Sequence, residues 1–241
     1  MTVTSPQGFR AAGVAAGIKE SGAADVAVVI NDGPSAAAAG VFTSNRVKAA
    51  PVLWSQQVLA GQEVRAVVLN SGGANACTGP AGFADTHRTA EHVADLLDIG
   101  AGEIAVCSTG LIGERLPIDL LLAGTTAAVS QASAQGGLAA ADAIRTTDTV
   151  PKTCVLHGTG YQIGGMAKGA AMLAPALATM LVVLTTDADL TPADLDRALG
   201  AAVRSARSRS PTLRAASVVS TTSIVASAGA SMAAPFAMPP I

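Results

Sequence analysis

A Thr preceded by a small Ala, Ala178-Thr179, sits inside LAPALATMLVVLTTDADL (173–190), and no charge occurs from Gly169 to Thr186. A Thr hydroxyl is a poor nucleophile until a base lies beside it. One solution is to cut the peptide bond before the Thr, so that its own freed α-amine takes the proton. Such an amine has an unperturbed pKa of about 7.7 to 8.0, which leaves about a tenth of it or more neutral at pH 7. The cut would follow attack of the Thr179 hydroxyl on the Ala178 carbonyl, giving an ester that water opens, and Ala178 is small enough not to obstruct it. A buried structural Thr is the competing reading of the same two residues.

Four other segments carry residues suited to a site. LNSGGANACTG (69–79) ends a strand-like run in Asn-Ser-Gly-Gly, a tight turn whose backbone can approach a ligand or another segment closely. CSTGLIGERLP (107–117) stops a strand at Ser108-Thr109-Gly110, where a small hydroxyl residue and a Gly can aim donors at a developing oxyanion. TTDTVPK (146–152) places hydroxyls before a Pro-restricted turn and also reads as a plain helix-ending loop. GGMAKGAAML (164–173) sets Lys168 among glycines and alanines. The phosphate-loop pattern fails there, because Gly169 and Ala170 follow the Lys, and ATP binding is unsupported.

Positioning these segments requires alternating strands and helices. Strand-like runs occur at 25–31, 37–45, 63–73 and 103–110, and MLVVLTT (180–186) is short and β-branched like a buried strand. Pro175 and that β-branched run argue against a membrane helix over 169–186. A helix is expected over 82–100, where Ala90, Val93, Leu96 and Leu97 recur at helical spacing. Another starts at Leu116-Pro117 and runs to about Ala132, and a third starts with Thr191 as N-cap and Asp194 in its first turn. From Ser205 the composition changes: three Arg, no Asp, Glu or Lys, and no strand or helix period sustained beyond a few residues. No repeats are apparent and no linker divides the chain before that point.

Composition narrows the function classes. Half of the 241 residues are hydrophobic, 13% are charged and 2% are aromatic, so the core is built from Ala, Val, Leu and Ile in an α/β or α+β architecture. A net charge of -2 with one Trp and one Tyr provides neither a basic surface nor a stacking platform, which disfavours nucleic acid as a partner. Cys77, Cys107 and Cys154 are an odd number at wide spacings without a C-x-x-C pair, which fits reduced thiols and gives no zinc pattern. The N-terminal MTVTSPQGFRAAGV lacks the basic-then-apolar order of a secretory signal, so a cytoplasmic location is expected.

Taken together, the segments resemble the ornithine acetyltransferase family, also called the bifunctional arginine biosynthesis or glutamate N-acetyltransferase family. GFRAAGVAAGIK (8–19), GVFTSNRVKAAPV (40–52), LNSGGANACTG, CSTGLIGERLP, TTDTVPK, GGMAKGAAMLAP and LATMLVVLTTDA follow the family's order, from residue 8 to about residue 204. The resemblance implies an α/β sandwich with sheets between helix layers and self-cleavage at Ala178-Thr179. It gives an alpha chain of residues 1–178, with a beta chain starting over 179–204. It implies Thr179 as nucleophile, Thr109 and Gly110 as oxyanion hole, and Thr146, Lys168 and Thr179 as substrate-binding residues. The implied reaction moves an acetyl group from N-acetylornithine to glutamate through acetyl-Thr, with no metal or bound cofactor, acetyl-CoA as a further donor in some members, and a heterotetramer of two alpha and two beta chains.

Two departures stand out. Gly73 occupies a position where the family more usually has Asn. After Arg204 the family's acidic segment and later Glu, Asn and Ser/Thr site residues cannot be placed. Residues 205–241 therefore read as a non-family tail, such as out-of-frame sequence, and a truncated member without activity is the rival reading. A related N-terminal-nucleophile aminopeptidase is a second rival, disfavoured by the ATML context of Thr179.

Overall fold

The computed structural model describes residues 2–169, 179–209 and 220–227. Among these residues nine strands form two sheets. The first holds β1 (Phe9–Val14), β2 (Val26–Asn31), β4 (Ala66–Gly73) and β5 (Ile104–Leu111), in the order β1-β2-β4-β5. The second holds β3 (Ala38–Phe42), β6 (Lys152–Gly158), β7 (Tyr161–Lys168), β8 (Thr179–Thr186) and β9 (Ser220–Ser227), in the order β3-β9-β8-β7-β6. Helices α2 (Gly79–Leu97) and α3 (Ile118–Gln131) pack on the first sheet, α1 (Ala50–Ala60) lies along β5, and α4 (Gly137–Ala143) lies against β1 and β2. Helix α5 (Pro192–Arg209) covers β3. The result is the expected α/β sandwich of sheets between helices.

The sequence dictates which face of each strand turns inward. Every residue of β2 is buried, as the apolar run VAVVI requires when both faces are covered, and the polar Asn31 that ends the strand is buried with it. Strand β8 alternates instead: Thr179, Leu181 and Val183 are buried, with partly exposed residues between them. Leu181 and Val183 join Met166 of β7 and Cys107 of β5 in one core between the sheets. Leu184, on the opposite face of β8, packs with Ala39, Leu195 and Leu199 beneath α5. Thr179, Lys168 and Thr109 share the parity of Leu181, Met166 and Cys107, so all three start from the inner faces of the sandwich.

Strand β5 is an edge of the first sheet, and α1 satisfies part of that edge. Trp54 Nε1 donates to Ile104 O at 2.9 Å, while Ser55 Oγ donates to Val106 O at 2.7 Å and accepts from Val106 N at 2.9 Å. These bonds replace a missing neighbouring strand. They hold the strand that carries Thr109 and Gly110.

Several expectations are met. The strands over 25–31, 63–73 and 103–110 and the helices from Gly79, Ile118 and Pro192 are present. No helix among the described residues is long and apolar enough to cross a membrane, and the 179–186 part of the membrane candidate is strand β8. Other elements were not legible. Helix α1 has apolar residues all round its surface, so no stripe marks it. Strands β1, β6 and β7 are rich in Gly, Ala and polar residues. Regular structure continues beyond the composition change at Ser205, where the sequence shows no sustained strand or helix period. Helix α5 runs to Arg209, and β9 inserts between β3 and β8, antiparallel to the first and parallel to the second. The rest of the tail lies outside the described residues.

Candidate active site

Thr179 is the first residue of β8 and is 9% exposed. Lys168 is the last residue of β7 and is 2% exposed. Strands β7 and β8 are antiparallel, and their register ends at Lys168 opposite Leu181. The Lys168 Nζ donates to Thr179 O at 3.2 Å and to Thr109 Oγ1, on the facing sheet, at 3.0 Å. One ammonium thus joins three of the residues singled out in the sequence. Burial pushes the Lys168 pKa down to about 8. The nearby Asp148 carboxylate opposes that shift, and Lys152 and Lys19 add to it through like charge.

Gly110 follows Thr109 at the end of β5 and has φ of +137°. A Cβ there would lie 2.3 Å from the carbonyl carbon of Gly72, so only Gly allows the two turns to meet. Gly72 itself has φ of +105°, and the parallel pairing of β4 with β5 is irregular between Gly72 and Gly73. The Asn-Ser-Gly-Gly turn and the Ser-Thr-Gly turn are therefore one packed unit. Ser108 Oγ donates to Asn70 Oδ1 at 2.6 Å, and Asn70 Nδ2 donates to Gly73 O at 3.0 Å. At Gly73, where the family more usually has Asn, a Cβ would lie 2.6 Å from the end of the Leu116 side chain, so Leu116 occupies the space that a side chain there would need.

Thr146 is exposed in the loop after α4, and Ala178 lies outside the described residues. The member of the TTDTVPK segment that reaches the cluster is Asp148, which sequence reasoning did not single out. It is buried, accepts from Lys152 Nζ at 2.5 Å and accepts from the Gly169 N–H at 2.9 Å. An acid in a hydroxyl-rich segment, four residues before a Lys, was the available signal. Lys19 was also missed. Its Nζ donates to Ala24 O at 2.7 Å and to Ala143 O at 3.4 Å, and burial lowers its pKa.

Cys77, Cys107 and Cys154 form no disulfide, and no group of three His, Cys, Asp or Glu suited to a metal occurs among the described residues.

The two facing sheets, with Thr179 heading an inner strand and Lys168 spanning to the Thr109-Gly110 turn of the other sheet, define an α/β sandwich with a polar juncture between its layers. The chain belongs to the ArgJ family, whose model matches residues 10–231. The arginine biosynthesis bifunctional protein ArgJ of Streptomyces coelicolor is 69% identical over 204 residues, covering 85% of this chain and 53% of that protein. The chain spans about half the length of the curated relatives it matches. A crystal structure of ornithine acetyltransferase complexed with ornithine, from Mycobacterium tuberculosis, is 64% identical with a TM-score of 0.71, over 73% of this chain and 95% of that one. The L-aminopeptidase D-Ala-esterase/amidase from Ochrobactrum anthropi, an Ntn hydrolase variant, has a TM-score of 0.54 over 95% of this chain and 74% of that one. At 15% identity it shows the fold alone.

Proposed function

We propose that the chain is a self-cleaving acetyltransferase of arginine biosynthesis that moves the acetyl group of N-acetylornithine to glutamate through Thr179. The observation that carries the reading is Lys168, whose ammonium lies between Thr109 Oγ1 and Thr179 O across the two sheets. In the first step the Thr179 Oγ attacks the Ala178 carbonyl carbon. The C–N bond breaks, the nitrogen takes a proton to become the α-amine, and water hydrolyses the ester. Residues 1–178 and the part from Thr179 onward then form separate chains. The solved chain from Mycobacterium tuberculosis supports this division, since it is filled to 95% by 73% of this chain, close to the share that precedes Thr179.

In the transfer, the Thr179 Oγ attacks the acetyl carbonyl while the α-amine takes its proton and returns it to the departing ornithine amine. Thr109 and Gly110 stabilise the oxyanion, with the positive Lys168 favouring the same charge. Glutamate's amine then attacks the acetyl-Thr ester and restores the hydroxyl. Thr146, Lys168 and Thr179 contact the substrate in this reading. No metal or bound cofactor takes part, acetyl-CoA is a further acetyl donor, the processed chains assemble as a heterotetramer of two of each kind, and the location is cytoplasmic.

The composition break after Arg204 favours one second reading, a folded but inactive fragment with an out-of-frame tail from residue 205. Resequencing the coding DNA tests the tail. Gel electrophoresis under denaturing conditions tests the nucleophile. Thr179→Ala gives one uncut band and no ornithine release, whereas Thr179→Ser retains part of both functions because a hydroxyl remains. Normal cleavage of Thr179→Ala would exclude Thr179.

A further inference from the structure

We propose that Asp148 is a positioning residue for the Thr179 reaction, clamping the end of β7 with one carboxylate oxygen and holding Lys152 with the other, so that Lys168 stays between Thr109 and Thr179. The inference rests on the reading of Thr179 as nucleophile. Its geometry is independent of that reading. Asp148 Oδ2 accepts the N–H of Gly169, the residue that leaves β7 immediately after Lys168. The antiparallel register pairs Lys168 with Leu181, so Gly169 sits where the chain comes alongside the beginning of β8. A clamp on the Gly169 backbone therefore fixes the end of β7 and with it the direction of the Lys168 side chain.

The second effect is electrostatic. The charged groups facing Lys168 are Asp148, Lys152 and Lys19. Asp148 is the anion among them, and its side chain is only 4% exposed, so its charge acts with little solvent screening. Lys152, half exposed, bonds Asp148 Oδ1 and offsets part of that charge. Arg145 braces the same loop, with Nη1 on the Asp148 carbonyl and its guanidinium paired with Asp142. Removing Asp148 makes the positive form of Lys168 harder to hold, and removing Lys152 makes it easier. The two changes act on one group in opposite senses, which a merely structural role would not produce.

Self-cleavage of the full chain, made by cell-free synthesis and shifted to buffers from about pH 6.5 to about pH 9.5, supplies the test. Wild type slows as pH rises through about 8, where Lys168 loses its proton. Asp148→Asn keeps an acceptor for Gly169 but not the charge. Its alkaline limb moves down by about one unit, an approximately tenfold loss on the steep part of the profile with little change at the acid end. Lys152→Met moves the limb up. Asp148→Ala loses the clamp as well and slows at every pH. If Asp148→Asn and Lys152→Met share the wild-type limb, or move it the same way, the inference is wrong while the Thr179 reading stands. If Asp148→Asn does not fold, an unmoved limb in Lys152→Met alone overturns it. Wild type that never cleaves overturns the Thr179 reading itself, and this inference with it.

Discussion

Gly110 shows how narrowly a single residue is constrained at this site. Its φ of +137° and the 2.3 Å that would separate a Cβ from the Gly72 carbonyl carbon leave no room for any side chain. Gly110→Ala is expected to destabilise the fold by roughly 1–3 kcal/mol and to pull the Thr109 turn out of line, measured as a lower urea midpoint together with lost self-cleavage. An unchanged midpoint would mean that the two turns do not pack as described. Thr109, Gly110, Lys168 and Thr179 stand in short segments whose composition drew attention to them, while their site roles came from the family resemblance. Asp148 and Lys19 were not legible, since a carboxylate's burial and a lysine's contact with backbone carbonyls depend on segments far apart in sequence.

Among the elements, helix α5 carries its own start signal. Thr191 Oγ1 donates to Asp194 Oδ2 at 2.6 Å and accepts from the Asp194 N–H at 3.2 Å, and the Thr191 N–H donates back to Asp194 Oδ2 at 3.3 Å. This reciprocal cap was readable from Thr-Pro-Ala-Asp alone. Because Leu195 and Leu199 of α5 close the small core over β3, Thr191→Ala should cost about 1 kcal/mol in urea denaturation. A change near zero would show that α5 is held by packing without its cap. Strands β4, β5 and β8 were legible for a different reason: each holds a short apolar run with β-branched residues, the pattern of a buried strand. Helix α1 and strand β9 were not. The first is defined by what it satisfies on β5, and the second by a gap between β3 and β8 that local sequence cannot reveal.

At the scale of the whole molecule, the sandwich places one lysine where its charge is costly. The folded-state pKa of Lys168 is about 8 against 10.5 for the ordinary side chain, so burial of the ammonium opposes folding fully below pH 8. Between about 8 and 10.5 the unfolded chain holds a proton that the folded chain has lost, and stability rises with pH in that window. In a Thr179→Ala background, proposed above to leave the chain uncut, stability should gain on the order of 2 kcal/mol across the window relative to the Lys168→Met double variant. Equal slopes for the two proteins would place the lysine in water rather than between the sheets. Both sheets and their helices thus serve one juncture, the meeting of β5, β7 and β8.

Intact-mass spectrometry of the purified chain before and after incubation with N-acetylornithine tests the central claim most directly. The account predicts two chains divided between Ala178 and Thr179, with one acetyl group added to the chain that begins at Thr179 and removed again by glutamate. A single uncut chain, or an acetyl group carried on any other residue, would contradict it.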